Sequence, residues 1–218
     1  MSGAKKSERP LGQITRGKTA PNRLRKVDLF TILYARESLT QPIKDCKRAF
    51  FVDLGYGREV FTTLESAARY RALNPQLAVL GVEIDPERVQ AALPFADELT
   101  FFRLGGFNIP LEAGESVRLV RAFNVLRQYE ESQVAEAHRE MGRGLVAGGL
   151  LLEGTSDPFG RVWVCNLVRK TPEEEMRPEG LVFGTNFRLG FDPALFQPVL
   201  PKNYIHRMVP GEPIQAFM

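Results

Sequence analysis

Two cysteines, two histidines and one tryptophan in 218 residues leave little material for redox or metal chemistry. Cys46 and Cys165 lie too far apart for a Cys-x-x-Cys pair and are too few for a disulfide framework, so two reduced thiols and no metal centre are expected. Long apolar runs are also missing. The longest candidate, Leu145 to Leu152, is interrupted by Gly148-Gly149 and falls far short of the roughly 18–20 residues a membrane-spanning helix requires. Lys5 and Lys6 are followed by polar residues instead of an apolar signal segment. These absences exclude a disulfide-stapled secreted module and a helical membrane protein, and they set the expectation of a cytoplasmic globular chain with no membrane partner.

Hydrophobic content of 44% and charged content of 25% fit a core of ordinary size. The net charge of +3 is unevenly spread. Residues 1–26 hold eight basic side chains (Lys5, Lys6, Arg9, Arg16, Lys18, Arg23, Arg25, Lys26) against Glu8, whereas the remainder carries 21 of the 29 basic and 25 of the 26 acidic groups. A basic arm on a mildly acidic body suits RNA or another polyanion. The competing reading is a solvated tail, since no aromatic residues are interleaved to stack bases.

Residues 1–21 therefore read as a basic, flexible arm and 22–218 as one domain. From Asn22, taken as an N-cap, Leu24, Val27, Phe30 or Thr31, and Tyr34 recur at helical spacing. Arg23, Arg25 and Lys26 in that first turn oppose the helix dipole and call for a partner. Strands are expected at 49–54, 78–83, 99–104, 117–123 and 149–154, alternating with helices at Arg58–Leu73, from Asp85-Pro86, and at Glu131–Val146. Continuous apolar strands alternating with helices predict an α/β fold: a doubly wound, mostly parallel Rossmann-like sheet with helices on both faces, its cofactor-binding core over 48–157. After Asp157 the rhythm changes. Strands at 162–168 and 181–187 flank an acidic loop, Thr171–Gly180; Asp192-Pro193 opens a short helix and 214–218 reads as a last strand. An antiparallel extension over 158–218 is expected.

The densest signal is Phe50-Phe51-Val52-Asp53-Leu54-Gly55-Tyr56-Gly57, an apolar strand running into a carboxylate and a Gly-x-Gly turn. Such a turn lets a ligand approach the backbone. The next apolar run, Ala78–Val82, ends in Glu83, placed to accept hydrogen bonds from both hydroxyls of a ribose. Asp53 is placed to fix the turn's amides or meet a positively charged ligand group. Val60 stands where a dinucleotide fingerprint has its third glycine, and no phosphate-loop lysine follows, so a neutral or cationic nucleoside fits better than a pyrophosphate.

These residues resemble class I S-adenosylmethionine-dependent methyltransferases. Val52-Asp53-Leu54-Gly55-Tyr56-Gly57 is similar to the family's first motif and Val82-Glu83-Ile84-Asp85-Pro86 to its second. Ala122-Phe123-Asn124-Val125-Leu126 resembles the segment after the fourth strand, and Leu145–Leu151 the Pro-Gly-Gly turn before the fifth. The resemblance covers about residues 48–155 and implies S-adenosylmethionine as cofactor, held by Asp53, Gly55, Tyr56, Gly57, Glu83, Ile84, Phe107, Asn108 and Asn124. Glu59 replaces the family's usual third glycine and Ala147 its proline. Leu104-Gly105-Gly106-Phe107-Asn108 lacks the aspartate that meets the adenine amino group; Asn108 is the substitute, with Phe107 covering the ring. Glu153, Asp157 and His206 are the substrate-side candidates, and no residue is assigned as catalytic. Neither an Asn/Asp-Pro-Pro-aromatic motif nor a Pro-Cys pair is present, so the acceptor stays open between RNA or an RNA-bound protein, slightly favoured by the arm, and a small metabolite. A non-catalytic binding module with a relict methyltransferase fold is the alternative.

Overall fold

The computed structural model describes residues 9–15, 20–188 and 190–218. The first part of the chain forms α1 (Arg25–Tyr34), α2 (Arg36–Thr40), β1 (Arg48–Leu54), α3 (Phe61–Arg71) and β2 (Val79–Glu83). The middle adds α4 (Pro86–Ala92), β3 (Thr100–Leu104), β4 (Glu115–Phe123), α5 (Glu131–Gly142) and β5 (Leu145–Ser156). The last part contributes β6 (Trp163–Lys170), β7 (Met176–Gly184), α6 (Lys202–Ile205) and α7 (Pro213–Phe217).

Among the described residues the strands form one sheet in the order β3-β2-β1-β4-β5-β6-β7. β1 to β5 run parallel, and β6 and β7 return antiparallel. The doubly wound, mostly parallel fold with an antiparallel C-terminal part is thus present. Its central strands are largely apolar on both sides because both sides are covered. Phe50, Val52 and Leu54 of β1 point toward α5, where Val134, Ala137 and Met141 meet them. Phe51 points the other way, toward Val27, Leu39, Ala67 and Tyr70 of α1, α2 and α3. Each large side chain so buried contributes about 1.5–3 kcal/mol relative to exposure. Chain direction across the sheet reverses between β1 and β4, and the crevice at their carboxyl ends is where such folds take ligands.

Several sequence expectations are corrected. Asn22 is not the N-cap of α1. It adopts φ 61, donates its N–H to the Glu65 carboxylate and accepts from Arg69 on its side-chain oxygen, while Leu24 holds the cap position. Two of the misplaced cations have partners within the chain. Arg23 donates to Ser156 and to the Asp157 carbonyl, and Lys26 donates to the Arg161 carbonyl. Part of the stretch read as an acidic loop is strand, since β7 starts at Met176 and pairs with β6 along Trp163–Lys170. The expected strand at 214–218 is α7: Pro213 stands at its first turn and Ile214 packs with Val164 and Phe196. β5 begins earlier than expected, and its register jump against β4 shows residues 146–149 looped out opposite Arg118. Of the basic arm, Lys5, Lys6, Arg16 and Lys18 lie outside the described residues.

Candidate functional site

The crevice is built around Gly55. The β1 strand ends at Leu54, and Gly55 and Gly57 turn the chain with φ of 71 and 86, values an L side chain adopts only with strain. A Cβ on Gly55 would stand 2.8 Å from Val125 Cγ2, so the turn also needs glycine for space. Its amide donates to the Val82 carbonyl at 2.7 Å, which fastens the turn to β2.

Glu83 closes β2 and is buried, and its carboxylate is held by backbone. Oε2 accepts from Gly57 N at 2.9 Å, while Oε1 accepts from Ile84 N at 2.9 Å and Asp85 N at 3.3 Å. Arg88 of α4 approaches Oε2 at 3.6 Å. Asp85 caps α4 by accepting from Glu87 N.

Asp53 lies one turn of backbone deeper and is held differently. Its Oδ2 accepts from the hydroxyls of Thr62 and Thr63, both at 2.8 Å, and its Oδ1 faces Arg121 Nη2 at 2.9 Å. Arg121, directly across on β4, is fully buried; it also pairs with Asp28 of α1 and lies over the Phe51 ring. Asp28 further accepts from Arg69, Ser66 and Tyr70. Two carboxylates and Arg121 thus form a buried ionic cluster beneath the turn, with half-buried Arg69 at its edge. The cation that Asp53 meets belongs to the chain.

Tyr56 points into the interior. Its ring meets Phe102 edge-on at 5.5 Å and lies against Gly81, and burial, with Glu83 and Asp53 nearby, pushes its phenol up. Asn124, at the end of β4 with φ 60, accepts from Ser156 N at 3.2 Å and lines a small cavity with Arg23, Gly55 and Thr62. Burial lowers the Arg23 guanidinium pKa against the opposing pull of Asp157. On the other side of Gly55 a second cavity is lined by Glu83, Ile84, Gly105, Phe107 and Tyr129.

The three substrate-side candidates are not brought together. Glu153 is buried under α5, accepts from Asn166 at 2.7 Å and has His138 Nε2 at 3.5 Å. Asp157 caps the β5–β6 turn by accepting from Arg161 N at 2.7 Å. His206 is exposed at the end of α6 and lines neither cavity.

Sequence reasoning missed the segment 9–15, which crosses the strand ends. Leu11 N donates to Asn108 Oδ1 at 2.7 Å, Phe107 N donates to the Leu11 carbonyl at 2.8 Å, and Asn108 Nδ2 donates to the Arg9 carbonyl at 3.0 Å. Gln13 N donates to the Tyr129 hydroxyl, and Arg88 donates to the Thr15 carbonyl at 3.2 Å. Most of these bonds engage main-chain groups of the segment, so no side-chain pattern announces them. The buried cluster did leave a signal: Arg121 is a charge in an apolar strand, which requires an acidic neighbour.

Among the described residues no group of histidine, cysteine and acidic side chains could hold a metal ion, and no helix is long and apolar enough to cross a membrane.

No protein-family model matches the chain, and no curated protein sequence matches it. Among solved structures it is similar to LepI in complex with SAM, at 18% identity and a TM-score of 0.42 over 56% of this chain and 30% of that one. It is similar also to magnesium protoporphyrin IX methyltransferase (ChlM) from Synechocystis with bound SAH, at 14% identity and a TM-score of 0.44 over 61% and 54%. A third is the N-methyltransferase NodS from Bradyrhizobium japonicum, at 18% identity and a TM-score of 0.40 over 61% and 67%. The chain spans less than a third of LepI and about half of ChlM.

Proposed function

We propose that the chain binds S-adenosylmethionine at the β1–β4 switch point and transfers its methyl group to an acceptor. The observation that carries this reading is Glu83, a carboxylate fixed by three backbone amides at the end of β2, beside a Gly55-Tyr56-Gly57 turn open to close approach. An amide-held carboxylate keeps acceptor lone pairs for ribose hydroxyls. Glu83, Ile84 and Phe107 would hold the nucleoside half on one side of Gly55, and the cavity at Asn124 and Arg23 would take the amino-acid half on the other. The bound cofactor supplies an electrophilic methyl on a sulfonium, so the protein's part is alignment and exclusion of water. Asp53 and Tyr56 act through the turn they support.

The acceptor we favour is carried by RNA or an RNA-bound protein, engaged through the basic N-terminal residues; a small metabolite is the competitor. Binding to a structured RNA that falls steeply with salt, and is lost on deleting the basic residues 1–26, is the expected result. No affinity at low salt would remove this preference.

Calorimetric titration with S-adenosylmethionine, S-adenosylhomocysteine and NAD tests the cofactor. Micromolar binding of the first two, abolished in Glu83→Ala, is expected; binding of NAD alone would point to a nicotinamide enzyme. A second reading, a non-catalytic module with a relict fold, is favoured by one observation: segment 9–15 already fills the nucleoside side of the crevice. It requires a folded chain that binds neither sulfur nucleoside, with or without that segment.

A further inference from the structure

We infer that residues 9–15 form a displaceable strap that competes with the cofactor for the nucleoside side of the crevice, so that the chain limits its own cofactor loading. This inference rests on the proposed cofactor site and adds its regulation.

The strap makes the bonds an adenine edge would otherwise make. A purine's Watson–Crick edge presents an acceptor and a donor side by side. Here the Leu11 carbonyl accepts from Phe107 N and the Leu11 amide donates to Asn108 Oδ1, two neighbouring groups of the β3–β4 connection at the edge of the crevice. The approach is close: a Cβ on Gly106 would lie 2.0 Å from the Leu11 carbonyl oxygen, so this bond depends on glycine at that position. The space left is about 20 Å³, room for about one water molecule. No nucleoside enters without the strap moving.

The strap is also held by little apolar burial. Leu11 and Ile14 are 45% and 50% exposed, and besides the Phe107–Leu11 bond the attachment consists of hydrogen bonds to Asn108 and Tyr129 and from Gln128 and Arg88. Each such bond has modest net strength. Segments of this kind open locally far below the cost of global unfolding. Arg88 links the strap to the ligand site, reaching both the Thr15 carbonyl and Glu83. A ligand whose hydroxyls draw on Glu83 therefore meets the strap at two points, the rim and the Arg88 contact.

A population-shift argument fixes the expected effect. If the open state is a minority, apparent affinity falls by its fraction, and removing the strap restores it. S-adenosylhomocysteine binding is compared by calorimetry in three chains: the full chain, a chain lacking residues 1–15, and Gly12→Val. Gly12 has φ +142 and an added Cβ would sit 3.1 Å from the Tyr129 hydroxyl, so valine unseats the strap without truncation. The truncated chain is expected to bind about tenfold or more tightly than the full chain, with Gly12→Val between them. Hydrogen exchange gives a second readout: the Leu11 and Gln13 amides, protected in the free full chain, should exchange faster when ligand is bound. Equal or weaker binding in both variants, or slower exchange on binding, would overturn the strap and leave the cofactor site standing. Absence of binding in all three folded chains would overturn the site, and the strap with it.

Discussion

Two carboxylates at neighbouring strand ends show opposite ways to keep a charge inside a protein. Asp53, below the turn, is neutralised by a fully buried arginine and two hydroxyls, and it belongs to a closed ionic cluster with Asp28. Glu83, at the rim, is held by three main-chain amides and only a peripheral Arg88. A carboxylate matched to an internal cation is a structural part, and adding a ligand there would cost a partner. A carboxylate matched to amide dipoles is preorganised and still able to accept. Under the proposed cofactor site the difference makes Asp53 a support and Glu83 the recognition group, although the sequence presents both as acids ending apolar strands.

The largest expected effect comes from breaking the closed cluster. Arg121→Met leaves Asp53 and Asp28 buried without their common cation, and a loss of about 3–5 kcal/mol in denaturant unfolding is expected. A loss under about 1 kcal/mol would mean the cluster admits water and the contrast with Glu83 is false. Next is a carboxylate of intermediate type. Burial works to raise the pKa of Glu115, but hydrogen bonds from Arg103 and from Glu112 N, with Arg48 nearby, bring it below its ordinary 4.5. A depressed carboxyl contributes stability above its unfolded value and loses it as pH falls through the folded one. Glu115→Gln should therefore cost about 1.5–3 kcal/mol near pH 7. Unfolding curves of the two chains should converge as pH falls from the ordinary 4.5 through the lower folded value, as wild type protonates.

Glu83→Gln keeps the shape and one acceptor. Its stability cost should be about 1–2 kcal/mol, while S-adenosylhomocysteine affinity drops by at least about tenfold; unfolding and calorimetry on the same sample separate the two. A stability loss as large as that of Arg121→Met would erase the distinction. The smallest effect is expected for Gly106→Ala. Loss of the Phe107–Leu11 bond costs about 1 kcal/mol locally, seen as faster exchange at Leu11 with the global unfolding midpoint nearly unchanged.

The parallel core was legible because a strand covered on both faces must be largely apolar; β2 and most of β1 obey that rule, while β4 departs from it at Arg118 and Arg121. Glu83 was legible for the same reason, as the first acid after such a run. The role of Asp53 was not legible: the sequence offered the turn's amides or a positively charged ligand group as its partner, and only the β1–β4 register sets Arg121 opposite it. Asn22 and the last helix were misread because local preference lost to tertiary contact. Glu65 and Arg69 of α3 draw Asn22 out of the helix, and Ile214 is drawn into the cluster around Val164. The strap was illegible because its attachment relies on main-chain groups, which carry no residue identity.

The β5–β6–β7 meander bears on how the chain assembles. Its pairings are between consecutive strands, joined by the short connections after Ser156 and Lys170. β1, by contrast, waits for β4 across some sixty intervening residues. Loop closure penalises the second kind of contact by about 2 kcal/mol more than the first. The C-terminal hairpins should therefore form early, presenting β5 as a template on which β4 and then the ligand-binding half are laid down. The part of the sheet farthest from the crevice would then be the part that lets the crevice form.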